Sequence, residues 1–393
     1  MNRIQRLRRD QSGMSLVFIG LGMLAFVSAS MLAIDVGMLM TARSQAQNSA
    51  DSAALAGATA LLYDDFNNRT ASGPAVTNAI RGGQRNDVMR GQVSVGPADV
   101  TFPVSPTTGQ ADRVRVEVRR TASRGNAVST LIARYFGMAQ TDIGAVATAE
   151  AAPANAMDCV KPFTIPDKWR EVTSPPWDSL TSTYDAFNNK GQPLPNPDVY
   201  VPAYDSNGNP DPNYTGYNMY RDKGTPLMIR AGTGNNITPS FYFSLALGTQ
   251  TGGAWYDANI AGCNHSFYHW GDLLVQEPGN MMGPTVQGIA ALIAQDPGAY
   301  WDGVQGKVVS QAFGNHSPRV FPIPLYDPIY YDSGKRNGRT ADLKTANWIG
   351  FFVDHVSGND IYGIITPLAG RYDRNGPQPQ PNPAMPRMIR LVQ

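Results

Sequence analysis

The composition of the chain narrows the classes of protein to which it can belong. Its 393 residues carry a formal net charge of +1, and only 16% of them are charged. So balanced a charge argues against a nucleic-acid-binding protein, which needs a basic surface. The two cysteines and the length leave room for a disulfide and for more than one hydrophobic core.

The first predicted element is a membrane-spanning helix over residues 14–34, which form an uncharged run of 21 residues. Such a helix is about 30 Å long, the thickness of the hydrocarbon core of a bilayer. A very apolar core helix is the alternative. Four arginines precede the run: Arg3, Arg6, Arg8 and Arg9. The positive-inside rule then leaves residues 1–13 as a cytoplasmic tail and sends the rest across.

A cleaved secretory signal is the rival interpretation of this segment, with Ser28–Ser30 as a small-x-small cleavage site. The apolar run is longer than a usual signal core and continues to Ile34. We therefore expect a retained anchor.

Residues 35–62 are predicted to continue the same helix beyond the membrane, because they contain no proline. In this part alanine recurs at every fourth position, at Ala42, Ala46, Ala50, Ala54 and Ala58. Together with Gly57 these alanines predict a smooth ridge that another helix or a sheet can approach closely. The alternative is that alanine only supports helicity there.

Residues 63–152 read as a small α/β unit. The pattern predicts, in chain order, a helix over 75–89 interrupted by Gly82 and Gly83, strands over 91–96 and 113–120, a helix over 126–137 closed by Gly137, and a strand over 141–151. A three-stranded antiparallel sheet against the long helix is the simplest assembly.

The N-terminal segment resembles TadE/TadG-like proteins of the tight-adherence (Tad) machinery, which assembles Flp-type pili in bacteria. The resemblance rests on the ordered string "AIDVG…AQNSADSAALAGA" after a basic leader and an apolar span. It continues through "VRVEVRRTA" and "STLIARYFGMAQTDIGAVATAEAAPA" to about Glu150, and "CVKPFTIPDKW" is similar as well.

The resemblance implies a minor-pilin-like accessory protein, anchored in the inner membrane and working in the periplasm among pilin or other Tad subunits. Homo-oligomerisation is left open. A leader of this family is cut after a glycine, and Gly13 followed by Met14 is in a suitable place. Phe18 argues against cleavage there, because it occupies the fifth mature position, where an acidic residue is usual. The Asp-x-Ser-x-Ser metal motif of larger relatives is not present in the sequence.

Residues 153–393 are predicted to form a separate β-rich domain. Twenty-six of the thirty prolines and all six tryptophans lie in this part. Seven segments rich in β-branched and aromatic residues predict strands, and 285–296 predicts a helix capped by Thr285. The proline-rich stretch 376–386 is a spacer before a final strand or a flexible tail. The predicted fold class is α+β: a long membrane-anchored helix on a small antiparallel, pilin-like sheet, followed by a β-rich domain.

The sequence offers little support for catalysis, because it contains no nucleophile elbow, phosphate loop or zinc-protease motif. Cys263, His265 and His269 lie close together, but a zinc site would need a fourth ligand. A disulfide between Cys159 and Cys263 explains the cysteines better in an exported chain. No cofactor is expected.

One polar loop carries a weaker hypothesis. Asp205, Asn207, Asn209 and Asp211 alternate as calcium ligands do, although no glutamate follows at the twelfth position. A cluster of turn residues is the alternative.

The sequence thus predicts a non-enzymatic component of a Tad pilus or related secretion apparatus. An exported adhesin or carbohydrate-binding protein, and an exported hydrolase, are the alternatives.

Overall fold

The computed structural model describes residues 12–232, 236–248, 251–279, 281–314, 316–336, 342–379 and 381–392. Most of the predicted cytoplasmic tail therefore lies outside the described residues. The helices are α1 (Ser12–Tyr63), α2 (Pro74–Gln84), α3 (Gly253–Ala261), α4 (Met282–Gln295) and α5 (Pro328–Arg336). The strands are β1 (Val100–Thr101), β2 (Arg113–Arg120), β3 (Val128–Ser129), β4 (Gln140–Thr141), β5 (Ile143–Pro153), β6 (Phe163–Pro166), β7 (Pro226–Ala231), β8 (Phe241–Ser244), β9 (Leu273–Leu274), β10 (Tyr300–Asp302), β11 (Lys307–Val309), β12 (Val320–Tyr326), β13 (Leu343–Ser357), β14 (Asp360–Thr366) and β15 (Arg387–Val392).

Helix α1 is a single helix of 52 residues, as the unbroken pattern predicted. At 1.5 Å per residue it is about 78 Å long. Its first half stands clear of the rest of the protein, and its second half packs against α2 and a sheet. In the described part of the chain, α1 is the one helix long and apolar enough to cross a membrane.

The sheet beside α1 has four antiparallel strands in the order β1-β2-β5-β15. Three of them come from the region where a three-stranded sheet was expected. The fourth, β15, pairs with β5 from Arg387 opposite Pro153 to Val392 opposite Thr148. The final strand predicted from the sequence is therefore present, but it completes the first sheet.

The prediction of a helix over 126–137 is wrong. This segment forms one strand of the short β3–β4 pair and a 3-10 turn at Ala133–Phe136. Gly137 closes the turn with a φ of +89°, a conformation that glycine adopts without strain. The predicted strand over 91–96 is also absent, and a single bridge joins Ser94 to Arg119 of β2.

Most of the remaining strands close into a barrel, in agreement with the predicted β-rich region. The strand order is β12-β6-β8-β7-β14-β13-β9, and β12 also pairs with β13, so the first six strands form a ring. The β6–β12 and β7–β8 pairs are parallel, and the other pairs are antiparallel. The fold is thus α+β, as expected.

Helices α3 and α4 contribute to the core of the barrel. Tyr256 and Ile260 of α3, and Ile289 and Leu292 of α4, are buried in the same cluster as the strand residues. Helix α4 begins at Met282, three residues before the predicted cap. The Thr285 hydroxyl donates to the Met281 carbonyl at 2.7 Å, so it does not act as the N-cap.

Candidate functional site: the anchoring helix and its packing seam

The five alanines of the predicted ridge, called here the alanine row, face the interior of the protein. Ala42, Ala46, Ala50, Ala54 and Ala58 are each at most 2% exposed. They belong to a core that also contains Val114, Val116 and Val118 of β2. The small side chains let the helix axis come close to the sheet, and the valines supply the bulk that the helix lacks. The row is therefore occupied by the chain's own sheet and α2.

Glycines make the contact of α1 with α2 and the sheet especially close. A Cβ placed on Gly57 would lie 2.7 Å from Val114 Cγ1 and 3.1 Å from the Cβ of Ala79. A Cβ on Gly82 of α2 would lie 2.8 Å from the Cβ of Ala56. The Ser49 hydroxyl donates to a carbonyl of α2 at 2.8 Å. The glycines that interrupt the predicted helix are thus spacing residues in a helix–helix contact.

A carboxylate joins α1 to the β3–β4 connection at the start of the packed half. Asp35 accepts the backbone N–H groups of Leu131 at 2.9 Å, Ile132 at 3.0 Å and Ala133 at 2.6 Å. These groups precede or begin the 3-10 turn, whose first N–H groups have no partner within the turn. Asp35 is only 3% exposed, so its charge is enclosed by donors.

The half of α1 that precedes Asp35 is bare. None of its most apolar eighteen-residue window is buried inside the protein. Large apolar side chains such as Phe18, Ile19 and Phe26 are each at least 66% exposed. Leaving so much apolar surface in water is unfavourable, at about 25 cal/mol per Å². The segment is therefore a candidate single-pass membrane anchor.

The far end of α1 is joined to the barrel. Lys223 Nζ donates to the carbonyls of Tyr63 and Asp64 at 2.8 Å each, where a cation complements the helix dipole. Burial lowers the pKa of Lys223 and raises the pKa of Asp64. The attraction between the two charges acts in the opposite direction on each pKa and is the smaller effect. A cavity of about 390 Å³ beside this contact is lined by Ala60, Tyr63, Lys307 and Leu368, among others.

Buried charges join β15 to the first sheet. Glu150 of β5 is fully buried and lies 3.5 Å from the Arg113 guanidinium and 3.4 Å from that of Arg390. Arg387 lies 3.7 Å from Asp112. Removing one member of such a group leaves an unpaired charge inside the protein. The strand that arrives from beyond the barrel is thus held by ion pairs as well as by its ladder.

The disulfide expected from the sequence is present between Cys159 and Cys263. His265 Nδ1 lies 3.5 Å from the Cys263 sulfur, but a sulfur in a disulfide is not a thiolate ligand. His269 instead pairs with Asp373 at 3.1 Å. Cys263 and His269, two of the three residues considered as zinc ligands, are therefore engaged in a disulfide and an ion pair.

The Asp205 loop is a turn held by its own hydrogen bonds. The Asp205 carboxylate accepts the backbone N–H groups of Asn207 and Asn209 at 2.8 Å each, and Asp211 accepts that of Asn213 at 2.9 Å. These contacts account for the residue types as a turn cluster. Calcium binding stays the weaker, untested hypothesis for this loop, and calorimetry of the protein with the ion tests it.

Sequence reasoning missed several buried acids, among them Asp35 and Asp167. Asp35 entered the sequence analysis only as part of the family motif. An acid directly after an apolar run could have indicated a buried carboxylate that needs hydrogen-bond donors. Asp167 accepts the hydroxyls of Tyr200 at 3.0 Å and Tyr214 at 2.7 Å, and burial raises its pKa to about 6. Because Asp167 is fully enclosed, it serves the packing of the barrel and is closed to a substrate.

Comparison with known families agrees with this division of the chain. Residues 13–60 match the family described as Flp pilus-assembly TadE/G-like, and residues 38–149 match the Tad-like Flp pilus-assembly family Tad_C. No curated protein and no solved structure matches the chain. The matches cover nearly all of α1, the whole of α2 and β1–β4, and the first part of β5, and so include the contact of α1 with α2 and β2 described above. The resemblance of the N-terminal 150 residues or so to TadE/TadG-like proteins is confirmed.

Proposed function

We propose that this protein is a membrane-anchored, non-enzymatic accessory of Tad/Flp-type pilus assembly or of a related secretion apparatus. It acts in a minor-pilin-like way, by packing against other subunits. The observation that carries the proposal is the two-part α1, bare and apolar before Asp35 and packed on a small sheet after it. The same residues match the pilus-assembly families.

The proposed location is the bacterial inner membrane, with the N-terminus in the cytoplasm and the bulk of the chain in the periplasm. The arginines before the apolar run support this orientation through the positive-inside rule. The disulfide supports an oxidising compartment for the barrel. Cleavage between Gly13 and Met14 is left open, because Phe18 stands where a cleaved leader usually has an acidic residue.

We further propose two structural units that meet near residue 153. The first comprises the packed half of α1 and the sheet beside it, and the second comprises the barrel. Because β15 pairs with β5, residues 387–392 belong to the first unit although they follow the barrel in the sequence. The proline-rich stretch 376–386 then serves as the return path between them.

The adhesin alternative rested on aromatic side chains that could stack on sugars. All six tryptophans lie in the described residues, and each is buried or half-buried. Trp169 and Trp348, for example, are at most 3% exposed. This burial favours a role in the core and leaves the assembly proposal the better supported.

A deletion strain that carries the other Tad genes tests the proposal. Flp pili sheared from the cells should be lost or strongly reduced without this protein and restored by the intact chain. A photoreactive residue in place of Leu24, which is 66% exposed, should crosslink to Tad subunits in intact membranes. The matched control carries the same group in place of Val304, on the β10–β11 turn beside the far end of α1.

Unchanged pili in the deletion strain, together with no crosslink from position 24 to any Tad subunit, would overturn the assembly role. A crosslink from position 304 alone would move the contact surface from α1 to the barrel.

A further inference from the structure

A loop beside the exit of the proposed membrane span carries an unusual exposed surface. The base loop, residues 130–139, connects β3 to β4 and contains Leu131, Tyr135, Phe136 and Met138. These side chains are 54%, 76%, 73% and 59% exposed, respectively. A continuous group of large apolar side chains in water marks an interaction surface.

The base loop is fixed in height relative to the span. Asp35 binds the backbone of residues 131–133, and Asp35 directly follows the last residue of the uncharged run. The loop is also closed on itself, because Thr130 N–H donates to the Ala139 carbonyl at 3.1 Å. The apolar side chains are therefore held at the level where α1 leaves the bilayer.

The charge of the base loop suits a lipid surface. Between Asn126 and Thr141 the one charged residue is Arg134, and its guanidinium lies 5.2 Å from the centroid of the Tyr135 ring. Aromatic side chains beside a cation are typical of the membrane–water interface, where rings sit among headgroups and cations reach phosphates.

Helix α1 presents a matching surface at the same level. Val36 is 42% exposed and Met40 is 67% exposed, and the first basic residue after the span is Arg43. Asp35 does not interrupt this surface, because it is enclosed by the loop backbone. Helix α1 therefore continues to expose apolar side chains beyond the end of the uncharged run.

We propose that the base loop is a membrane-docking element that inserts Tyr135, Phe136 and Met138 into the interfacial layer of the bilayer from which α1 emerges. The inference rests on the membrane anchoring in the proposed function and adds a second lipid contact to it. Interfacial elements of this kind bury their apolar face about 5–10 Å into the boundary between headgroups and acyl chains. Two contacts would restrict the tilt and rotation of the sheet above the membrane.

Site-specific fluorescence in the intact protein tests the proposal. Both native cysteines are in the disulfide, so a new cysteine can be labelled selectively. Phe136→Cys, Leu24→Cys and Val304→Cys are labelled with an environment-sensitive dye. The full chain is then placed in nanodiscs of phosphatidylethanolamine and phosphatidylglycerol that carry a nitroxide either near the headgroups or deep in the acyl chains. Val304 is 99% exposed beside the far end of α1 and serves as the aqueous control.

We expect the dye at position 136 to be blue-shifted and quenched several-fold more than the dye at position 304. Quenching at position 24 but not at position 136 would overturn the docking inference alone. Quenching at neither position would overturn the membrane anchor itself. Protection of the introduced cysteine at position 136 from labelling in native membranes, without quenching at this position in nanodiscs, would overturn the docking inference and assign the loop to a protein partner.

A second set of variants separates docking from folding. The dye is moved to Ala139→Cys, and Tyr135, Phe136 and Met138 are changed together to serine. Because all three side chains are exposed, the thermal unfolding midpoint should stay unchanged while quenching at position 139 falls. Unchanged quenching would overturn the role of these side chains.

Discussion

The carboxylate of Asp35 accepts the backbone N–H of Ala133 at 2.6 Å, across 98 positions of sequence. This contact closes the connection between β3 and β4 onto α1 and satisfies donors at the start of a 3-10 turn. It also settles where the bare half of the helix ends and the packed half begins.

Replacing Asp35 by alanine should loosen the base loop. Three backbone N–H groups lose their common acceptor, so the amides of residues 131–133 should exchange with deuterium much faster in the intact protein. Asp35→Asn keeps one acceptor oxygen and should show an intermediate rate. Asp51→Ala is the matched control on the same helix, since Asp51 binds only Gln47 four residues away. Equal exchange in all variants would contradict the clamp.

Gly57→Ala should destabilise the protein although alanine is the better helix former. The new Cβ would lie 2.7 Å from Val114 Cγ1. Overpacking costs about 1–3 kcal/mol, against a propensity gain of about 1 kcal/mol. Gly37→Ala is the control, because a Cβ there meets nothing within 4 Å, and it should leave the free energy of unfolding unchanged or raise it. Denaturant titration in detergent measures both. Equal effects would mean that the seam tolerates bulk.

Leucine in the alanine row should separate the helix from its sheet. Ala50 and Ala54 are both 0% exposed, so Ala50→Leu and Ala54→Leu should each cost about 1–3 kcal/mol while preserving helicity. Serine at both positions keeps the small volume and should be tolerated better. Asn48→Leu places the same leucine side chain at an exposed position. We expect the leucine pair to insert in the membrane but be degraded, and equal abundance of all variants would contradict the packing role.

Removing the disulfide should destabilise the barrel much more than the first sheet. Cys159 and Cys263 are 104 positions apart, and closing so long a loop is worth about 4–5 kcal/mol on the chain-entropy argument. The variant with both cysteines changed to serine should therefore lose protection from proteolysis first in residues 160–370. Mass mapping without reduction checks that the bond is formed in cells. Two free thiols in protein from intact periplasm would contradict it.

Stability should depend on pH through Lys161. Its ammonium donates to the carbonyls of Ile260 and Gly262 at 2.6 Å each, and burial lowers its pKa from 10.5 to about 7. The unfolded chain keeps this proton up to about pH 10.5. Between pH 7 and pH 10.5 folding therefore releases a proton from Lys161. The contribution of Lys161 to the free energy of unfolding is therefore complete above pH 10.5. It is lost progressively as the pH falls from 10.5 to 7.

The free energy of unfolding should thus rise by about 1–2 kcal/mol between pH 7.5 and pH 9 through this group. Lys161→Met keeps the apolar stem and should remove that part of the slope. Denaturant titrations of both proteins at the two pH values measure the difference. A slope that is the same in the variant would assign the pH dependence to other groups.

Sequence reasoning found the elements whose patterns are long and local. The 52-residue α1, the alternation in β2 and the β-branched runs of β13 and β14 were all readable, because each repeats one period over many residues. The family resemblance added the extent of the N-terminal region, about 150 residues, and its expected role in pilus assembly.

The failures occurred where distant groups decide local structure. Residues 126–137 have a helical pattern, but the Asp35 carboxylate takes their N–H groups and holds a single turn. The return of β15 to β5 was unreadable as well, because strand pairing has no local signature beyond the strand itself. The sequence predicted that another element packs closely on the alanine row. It did not decide between the protein's own sheet, where the valines of β2 lie, and a neighbouring subunit.

The pairing of β15 with β5 also makes the sheet beside α1 depend on residues that are synthesised after the barrel. Arg390 reaches Glu150 from 240 positions later, so the sheet beside α1 keeps an open edge until the barrel has been made and passed. A chain interrupted within the barrel would be anchored but would expose the edge of β5 with a buried glutamate lacking one cation. Such edges are sites of aggregation and proteolysis. We therefore expect chains that stop within the barrel to be degraded faster than the intact chain.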